Sequence, residues 1–290
     1  MRNPRSLLPG LLVTTLALAL LACTKTSSEA PTPDKANVVE ITGFDYAFQM
    51  PDSLPPGRIS FRFANKGKVD HEFNIVLLKT TATLKQFIDT ANADQSTRNL
   101  IDGSVGVLFA KPGMTGSSTL SVDLLPGRTY AIQCINKDKD DAPTHRQLGM
   151  FKSLTVTSAD RVASKSITTD TIFGTDYAFK IPPTFTPGLH HLGFFNSGKQ
   201  HHEINVALLK PDVTVQKVIE IASAGGEVDS LIDGALGVLH SFSDSAPLGT
   251  LDIHFLPGRE YIVVCTFMDT PNSPPHFALG MFGSIKVAAQ

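Results

Sequence analysis

Four side chains that bind soft and borderline metal ions recur in the same order in both halves of the chain. The two sets are His71, Cys134, His145 and Met150, and His202, Cys265, His276 and Met281. In both sets ten residues separate the cysteine from the second histidine, and four separate that histidine from the methionine. A thiolate and two imidazoles can form a trigonal plane around copper, with a thioether as a weak axial ligand. The spacing therefore predicts one mononuclear type 1 copper site in each half.

The repeated spacing reflects the duplication of a whole domain. The segment GFDYAF (43–48) recurs 131 residues later as GTDYAF (174–179), and LIDGSVGVL (100–108) recurs as LIDGALGVL (231–239). A period of this length is that of a domain and is too long for a short solenoid unit. We therefore expect two copies of one fold, and we interpret the Leu-Ile-Asp-Gly segments as a helix end or a turn.

Most of each copy has the pattern of β-strands. Short apolar or alternating runs near Pro-Gly turn signals indicate strands at 75–78, 129–134, 153–156, 206–209, 260–265 and 284–287. Residues 83–93 and 214–224 instead show the spacing of apolar residues that is typical of a helix. We predict a mainly β chain of two Greek-key β-sandwiches in tandem, each with an inserted helix.

The N-terminus has the features of a signal peptide. Arg2 and Arg5 precede a short apolar stretch that ends in Leu-Leu-Ala-Cys23. This ending resembles the lipobox of bacterial lipoproteins, in which the chain is cut before the cysteine and the cysteine is acylated. More than one acyl chain gives stable anchoring. We expect residues 1–22 to be removed and Cys23 to carry lipid; the alternative is a soluble secreted protein that is cut elsewhere.

Composition and the repeat set the remaining boundaries. We expect a polar tether at 23–38, a first domain at 39–157, a linker at 158–168 and a second domain at 169–290. The protein would then lie on the extracytoplasmic, periplasmic side of a membrane. In a Gram-negative cell, Thr24 after the lipid-bearing cysteine favours the outer membrane.

Charge and cysteine content restrict the classes of partner. The net charge is −2 and the chain has no basic block, which argues against a nucleic-acid partner. If Cys23 carries lipid, each domain keeps one cysteine and cannot form a disulfide within itself. In an oxidising compartment a metal ion is one means of using such a thiol.

Three local patterns in each half resemble the cupredoxins, the family of plastocyanin, azurin and the blue-copper domains of nitrite reductases. They are Asn-x-Gly before the first histidine, Pro-Gly-x-x-Tyr-x-x-x-Cys at the cysteine, and His-x-x-x-Gly-Met at the end. The resemblance spans about 40–156 and 171–287. It implies two equatorial histidines, one cysteine and one axial methionine around a copper ion in each domain.

Two features depart from that family's pattern. The loop from cysteine to histidine is longer than in plastocyanin or azurin, and in the first copy (135–144) it is polar. Glu72 and Glu203 follow the first histidine, where plastocyanin and azurin have asparagine. Each glutamate is an auxiliary candidate, either as a hydrogen-bonding group across the loop or as an additional oxygen ligand.

The resemblance implies electron transfer to a redox protein partner, with the imidazole of His145 or His276 as the exposed exit. The alternatives are a copper-handling module and a metal-free interaction module of the same fold. Two-domain oxidases and nitrite reductases also need a second copper centre, typically with His-x-His pairs, and the sequence has none. We therefore expect no enzymatic activity.

Several other residues have a less specific pattern. Five histidines occur in the second copy alone, and a second metal site built from some of them is a further alternative: His190, His191, His201, His240 and His254. The pairs Asp45-Tyr46 and Asp176-Tyr177 are repeated, and we interpret them as strand-edge contacts that shape the fold.

Overall fold

The computed structural model describes residues 37–159, 168–270 and 272–289. The predicted signal peptide (1–22), Cys23 and most of the tether and linker lie outside these residues. Among the described residues, no helix is long and apolar enough to cross a membrane.

The described residues of the first copy contain nine strands and one α-helix, among them the three predicted strands and the predicted helix. The strands are β1 (Asn37–Phe44), β2 (Ala47–Gln49), β3 (Ser53–Leu54), β4 (Gly57–Asn65), β5 (His71–Leu78), β6 (Ile101–Ala110), β7 (Ser118–Leu124), β8 (Thr129–Gln133) and β9 (Phe151–Val156). Helix α1 (Leu84–Asn92) lies between β5 and β6. It begins after Thr83, whose hydroxyl accepts from the backbone N–H of Gln86, while the Gln86 side chain accepts from the Thr83 backbone N–H. This capping box satisfies free N–H groups at the start of the helix.

The second copy repeats this order. Its strands are β10 (Asp170–Thr175), β11 (Ala178–Lys180), β12 (Gly188–Asn196), β13 (His202–Leu209), β14 (Ile232–Ser241), β15 (Gly249–Phe255), β16 (Glu260–Val264) and β17 (Phe282–Lys286). Helix α2 (Val215–Ser223) lies between β13 and β14. The two predicted helices therefore lie where the helical spacing placed them.

Strand β5 is buried along its whole length because both of its faces are covered. Phe73, Ile75 and Leu77 point into the main core between the sheets, whereas Val76 and Leu78 pack with α1. Successive side chains of a strand point to opposite faces, so a strand between a core and a helix has no polar face. Helix α1 therefore covers one face of β5, the strand that begins at His71, and stabilises its position.

The two sandwiches share their sheets. One sheet runs β11-β10-β12-β15-β7-β4-β1-β2, and the other runs β17-β16-β13-β14-β6-β5-β8-β9-β3. The copies join through the antiparallel pair β7–β15 and through one antiparallel bridge between β6 and β14, in which Val107 pairs with Val238. One buried apolar cluster accordingly contains residues of both copies. The domain boundaries stay predictions. Strands of the two copies pair directly with one another.

The fold class is confirmed: the chain is two mainly β sandwiches in tandem, each with an inserted helix. The interpretation of the Leu-Ile-Asp-Gly segments is only partly right. A 3-10 turn ends at Leu100, but Ile101, Asp102 and Gly103 already belong to β6. Apolar residues that follow the glycine continue the strand, and this outweighs the turn preference of Asp-Gly.

Candidate metal centres

Three neighbouring strands place the donors of the first copy at one end of a sheet. His71 begins β5, Cys134 follows the end of β8, and Met150 precedes β9. The strands lie side by side in the order β5-β8-β9 and are antiparallel, so the start of one lies beside the end of the next. The second copy repeats this arrangement with β13, β16 and β17.

The backbone closes the ligand loop and places His145 beside Cys134. The N–H of Arg146 donates to the Cys134 carbonyl at 2.7 Å, and the N–H of Met150 donates to the His145 carbonyl at 2.8 Å. The His145 N–H donates to the carbonyl of Asn136 at 2.8 Å. These bonds join the two ends of the ligand loop. Most residues between 136 and 145 can therefore differ between the copies without moving the donors.

The donor atoms of the first copy converge in a buried cluster. The Nδ1 atoms of His71 and His145 are 3.0 Å apart, and Cys134 Sγ lies 3.9 and 3.3 Å from them respectively. The backbone N–H of Glu72 donates to the same sulfur at 3.4 Å. The Met150 side chain is fully buried, and the Met150 carbonyl accepts a hydrogen bond from the backbone N–H of Cys134.

The second copy has the same geometry. His202 Nδ1 and His276 Nδ1 are 3.0 Å apart, and Cys265 Sγ lies 4.0 and 3.4 Å from them. In each copy the three donor atoms lie within 4.8 Å of one another and all three residues are buried. Both cysteines are free thiols. Donors with metal bonds of about 2.0 to 2.3 Å lie three to four Å apart when they share one ion, so these groups fit a single ion. One thiolate and two imidazoles beside a methionine are the donor set that suits copper.

A carboxylate contacts the other nitrogen of each ligand imidazole in the first copy. Asp45 Oδ1 lies 3.0 Å from His71 Nε2, and Asp138 Oδ1 lies 3.0 Å from His145 Nε2. A proton on Nε2 that is donated to the carboxylate leaves the Nδ1 lone pair directed at the donor cluster. Both carboxylates therefore select the tautomer that can bind a metal ion.

The carboxylates are themselves held in place. The Tyr46 hydroxyl donates to Asp138 at 2.6 Å, and the Tyr46 ring lies 4.9 Å from the His145 ring. Asp45 accepts from the backbone N–H of Lys68 at 2.9 and 3.0 Å. The Tyr46 and His145 hydrogen bonds lower the pKa of Asp138. Burial opposes ionisation of Asp45, but the Lys68 and His71 hydrogen bonds outweigh it and lower its pKa.

The second copy repeats these contacts at the corresponding positions. Asp176 lies 3.1 Å from His202 Nε2, and Asp269 lies 3.2 Å from His276 Nε2. The Tyr177 hydroxyl donates to Asp269 at 2.9 Å. The interpretation of the Asp-Tyr pairs as contacts that only shape the fold is therefore incomplete, because both residues of each pair contact the imidazoles of the donor clusters. Asp138 and Asp269 were not foreseen, although the aspartate is one of only two residues that the two loops share.

The thiols are strongly affected by their surroundings. Burial, and then the charge of Glu72, raise the pKa of Cys134 to about 12. Burial and Glu203 raise the pKa of Cys265 to about 12 in the same way. A metal ion that binds either sulfur therefore has to displace a proton.

The two glutamates hydrogen-bond across the ligand loops. Glu72 Oε1 accepts from the N–H of Ile135 at 3.2 Å, and Glu203 Oε1 accepts from the N–H of Thr266 at 3.0 Å. Burial raises the pKa of Glu72 to about 7 and also raises that of Glu203. These contacts favour the hydrogen-bonding role over the role of an additional ligand.

Arg146 connects the first ligand loop to the inserted helix, a role that the sequence did not suggest. Its guanidinium donates to Asn92 Oδ1 and to the Ala91 carbonyl, both at 2.8 Å, and to Gln133 Oε1 at 3.1 Å. The second copy has Phe277 at this position. The two sites therefore differ in how the loop is fastened, but the donors are the same.

The hypothesis of an exposed imidazole exit is wrong. His145 is 1% exposed and His276 is fully buried. Each imidazole lies beneath a tyrosine ring and points its Nε2 at an aspartate, because the longer ligand loop brings Asp138 or Asp269 over it. Contact with another molecule therefore has to involve the residues around these imidazoles.

The other five histidines of the second copy belong to neither donor cluster. His190 Nδ1 lies 2.5 Å from Asp170, and His191 Nδ1 lies 2.7 Å from Asp252, so both rings are held by carboxylates at the sheet. His254 is exposed on β15. His201 and His240 contact one another between the two sandwiches.

Comparisons with known proteins give matches among solved structures alone. No family model and no curated protein matches the chain. A reduced auracyanin from Roseiflexus castenholzii is 19% identical over 42% of this chain and 98% of its own, with a TM-score of 0.30. A blue copper oxidase from Nitrosomonas europaea is 12% identical over 87% of this chain and 86% of its own, with a TM-score of 0.24. A copper-containing nitrite reductase from Thermus scotoductus is 14% identical over 87% of this chain and 61% of its own, with a TM-score of 0.25.

These matches correct one expectation from the sequence. The matched structures include an oxidase and a nitrite reductase, so the expectation of no enzymatic activity is withdrawn. That expectation depended on the absence of His-x-His pairs, which excludes one arrangement of ligands and not enzymatic activity as such. The chain therefore has two β-sandwiches in tandem, each with a buried His-Cys-His group and an adjacent methionine, the donor set that suits copper.

Proposed function

We propose that the chain is an extracytoplasmic, membrane-anchored electron-transfer protein with one type 1-like copper site in each domain. The observation that carries the proposal is the pair of carboxylates on the ligand imidazoles of each site, at 3.0 to 3.2 Å from Nε2. Copper in such a donor set alternates between Cu(I) and Cu(II). Residues that hold both imidazoles, the thiol and the methionine in a buried cluster limit their movement when the charge of the site changes.

The surface beside each site supports contact with a redox partner. Leu148 and Leu279 occupy equivalent positions in the two ligand loops and are 43% and 45% exposed. Each leucine lies between the second histidine and the methionine of its site. Since the imidazoles are buried, we propose that a partner protein docks against these loops and exchanges electrons through the residues that cover the imidazoles.

The test of electron transfer is optical and electrochemical. Copper-loaded protein is expected to show an intense band near about 600 nm from the copper–thiolate bond, bleached by a reductant and restored by an oxidant. Titration with a one-electron reductant should consume two electrons per chain. Bound copper without an intense visible band would contradict the proposal.

The membrane anchor is a separate part of the proposal and depends on Cys23. Cys23→Ser removes the thiol to which lipid would be attached, and we expect the protein to move from the membrane fraction to the soluble extracytoplasmic fraction. Thr24→Ser is the matched control and should stay with membranes. Membrane association of both variants to the same extent would refute a lipid anchor at this position.

A copper-handling module is the second candidate. The burial of His145 and His276 favours it over electron transfer, because neither imidazole is exposed as an exit for an electron. Transfer of copper to an acceptor protein, without redox cycling of a band near about 600 nm, would select this candidate. If the purified chain takes up no copper, the metal-free interaction module is the alternative that remains.

A further inference from the structure

Two histidines meet in a cleft between the sandwiches, apart from the two donor clusters. His201 precedes β13 and His240 lies in β14, and His201 Nε2 is 3.3 Å from His240 Nδ1. The remaining ring nitrogen of His240 lies 2.6 Å from the hydroxyl of Ser104, which belongs to the first sandwich. Both rings are partly buried.

The surroundings of the pair have the character of a binding site. The cleft has a volume of about 300 Å³, and the rings of Phe242 and Phe267 lie 4.7 and 4.4 Å from the His201 ring. Asn74 also lines the cleft, and its Oδ1 is buried without a hydrogen-bond partner among the described residues. A buried acceptor of this kind usually has a partner, and an ion or its bound water would provide one.

The corresponding positions of the first copy hold a cluster of ion pairs. The positions of His201, His240 and Phe242 correspond to Asp70, Phe109 and Lys111. Lys111 Nζ lies 2.6 Å from Asp70 and 2.7 Å from Asp229 of the other sandwich. The second copy has no such lysine at that position, and its two imidazoles are directed at one another.

We propose that His201 and His240 form a third metal site, for a divalent transition-metal ion such as Zn(II) or Cu(II). Bonds of about 2.0 to 2.1 Å to two nitrogens 3.3 Å apart enclose an angle of about 105 to 110°, close to tetrahedral. A proton on His240 Nε2 donated to Ser104 leaves Nδ1 free to bind the ion, and this hydrogen bond orients the ring. Asn74 supplies an oxygen on the same cleft, and water completes the coordination.

The charges around the cleft are compatible with this site. Burial lowers the pKa of His240 to about 4, so its ring is neutral at neutral pH. Arg98 lines the cleft and its charge is among the causes that lower the pKa of His201, but its Cζ lies 3.8 Å from the centre of the Phe242 ring and its guanidinium donates to the Ile101 carbonyl. These contacts orient the guanidinium toward Phe242 and Ile101.

The test counts bound ions in the full chain after the two His-Cys-His sites have been filled with copper. Calorimetric titration and equilibrium dialysis with Zn(II) are expected to give one additional equivalent. His240→Phe installs the residue of the first copy at this position and should lose that equivalent, and His201→Gln should lose it as well. His254→Gln changes an exposed histidine and is the matched control, which should retain it.

Each outcome decides the matter. No additional zinc in the wild-type protein, or the same amount in His240→Phe and His201→Gln as in the wild type, would overturn the proposal. Thermal unfolding and the copper content of the same samples show whether a variant has kept its fold, and His201→Gln serves if His240→Phe has not. Zinc binding does not depend on the visible band, so failure of the proposed electron transfer leaves this result unaffected.

Discussion

Cys265→Ser is expected to remove one copper ion and about half of the intense visible absorption, and Cys134→Ser to do the same for the other site. Each thiol is the soft ligand of its cluster and lies 3.3 to 4.0 Å from the two imidazole Nδ1 atoms. A serine hydroxyl is a poor replacement because copper–thiolate bonding produces the band. Elemental analysis and absorption spectra of purified, copper-loaded protein measure both effects.

The design has internal controls. The double variant Cys134→Ser/Cys265→Ser should lose both ions and the whole band, whereas Cys23→Ser lies outside the two domains and should keep both. Equal copper in the wild type and in the two single variants would end the claim of two sites. Unequal losses would show that the two sites differ in affinity, which the different fastening of their loops by Arg146 and Phe277 allows.

Asp138→Asn is expected to weaken copper binding at the first site by about 10- to 100-fold, the range found for residues that orient a metal-binding histidine. Asp138 accepts from His145 Nε2 at 3.0 Å and from the Tyr46 hydroxyl at 2.6 Å. The amide lacks the charge that favours the Nε2–H tautomer, so Nδ1 is less often free for the ion. Competition with a chelator of known copper affinity measures the change.

Asp140→Asn is the matched control for this variant, because Asp140 lies in the same loop and is exposed. It should bind copper like the wild type. A visible band that shifts in Asp138→Asn, with unchanged thermal unfolding of the metal-free protein, would show that the residue positions His145 rather than supporting the fold. Equal affinity of Asp138→Asn and Asp140→Asn would mean that the carboxylate does not contribute to metal binding.

Much of each site could be predicted from the sequence because strands impose regular geometry on their ends. His71, Cys134 and Met150 lie at the ends of adjacent antiparallel strands, and the fold brings such ends together whatever the loops contain. The supporting aspartates could not be placed in this way. Asp138 lies in a loop, and a loop has no periodicity that says which side chain turns toward the site.

The sequence by itself determined the duplication, six of the seventeen described strands, the two helices and the two donor sets, since each depends on residue type and spacing along the chain. The tertiary structure alone decided that the sandwiches share two sheets, that His145 and His276 are buried, and that His201 meets His240. These features depend on contacts between residues far apart in sequence. Local periodicity contains no information about such contacts, because packing of the two copies against one another selects them.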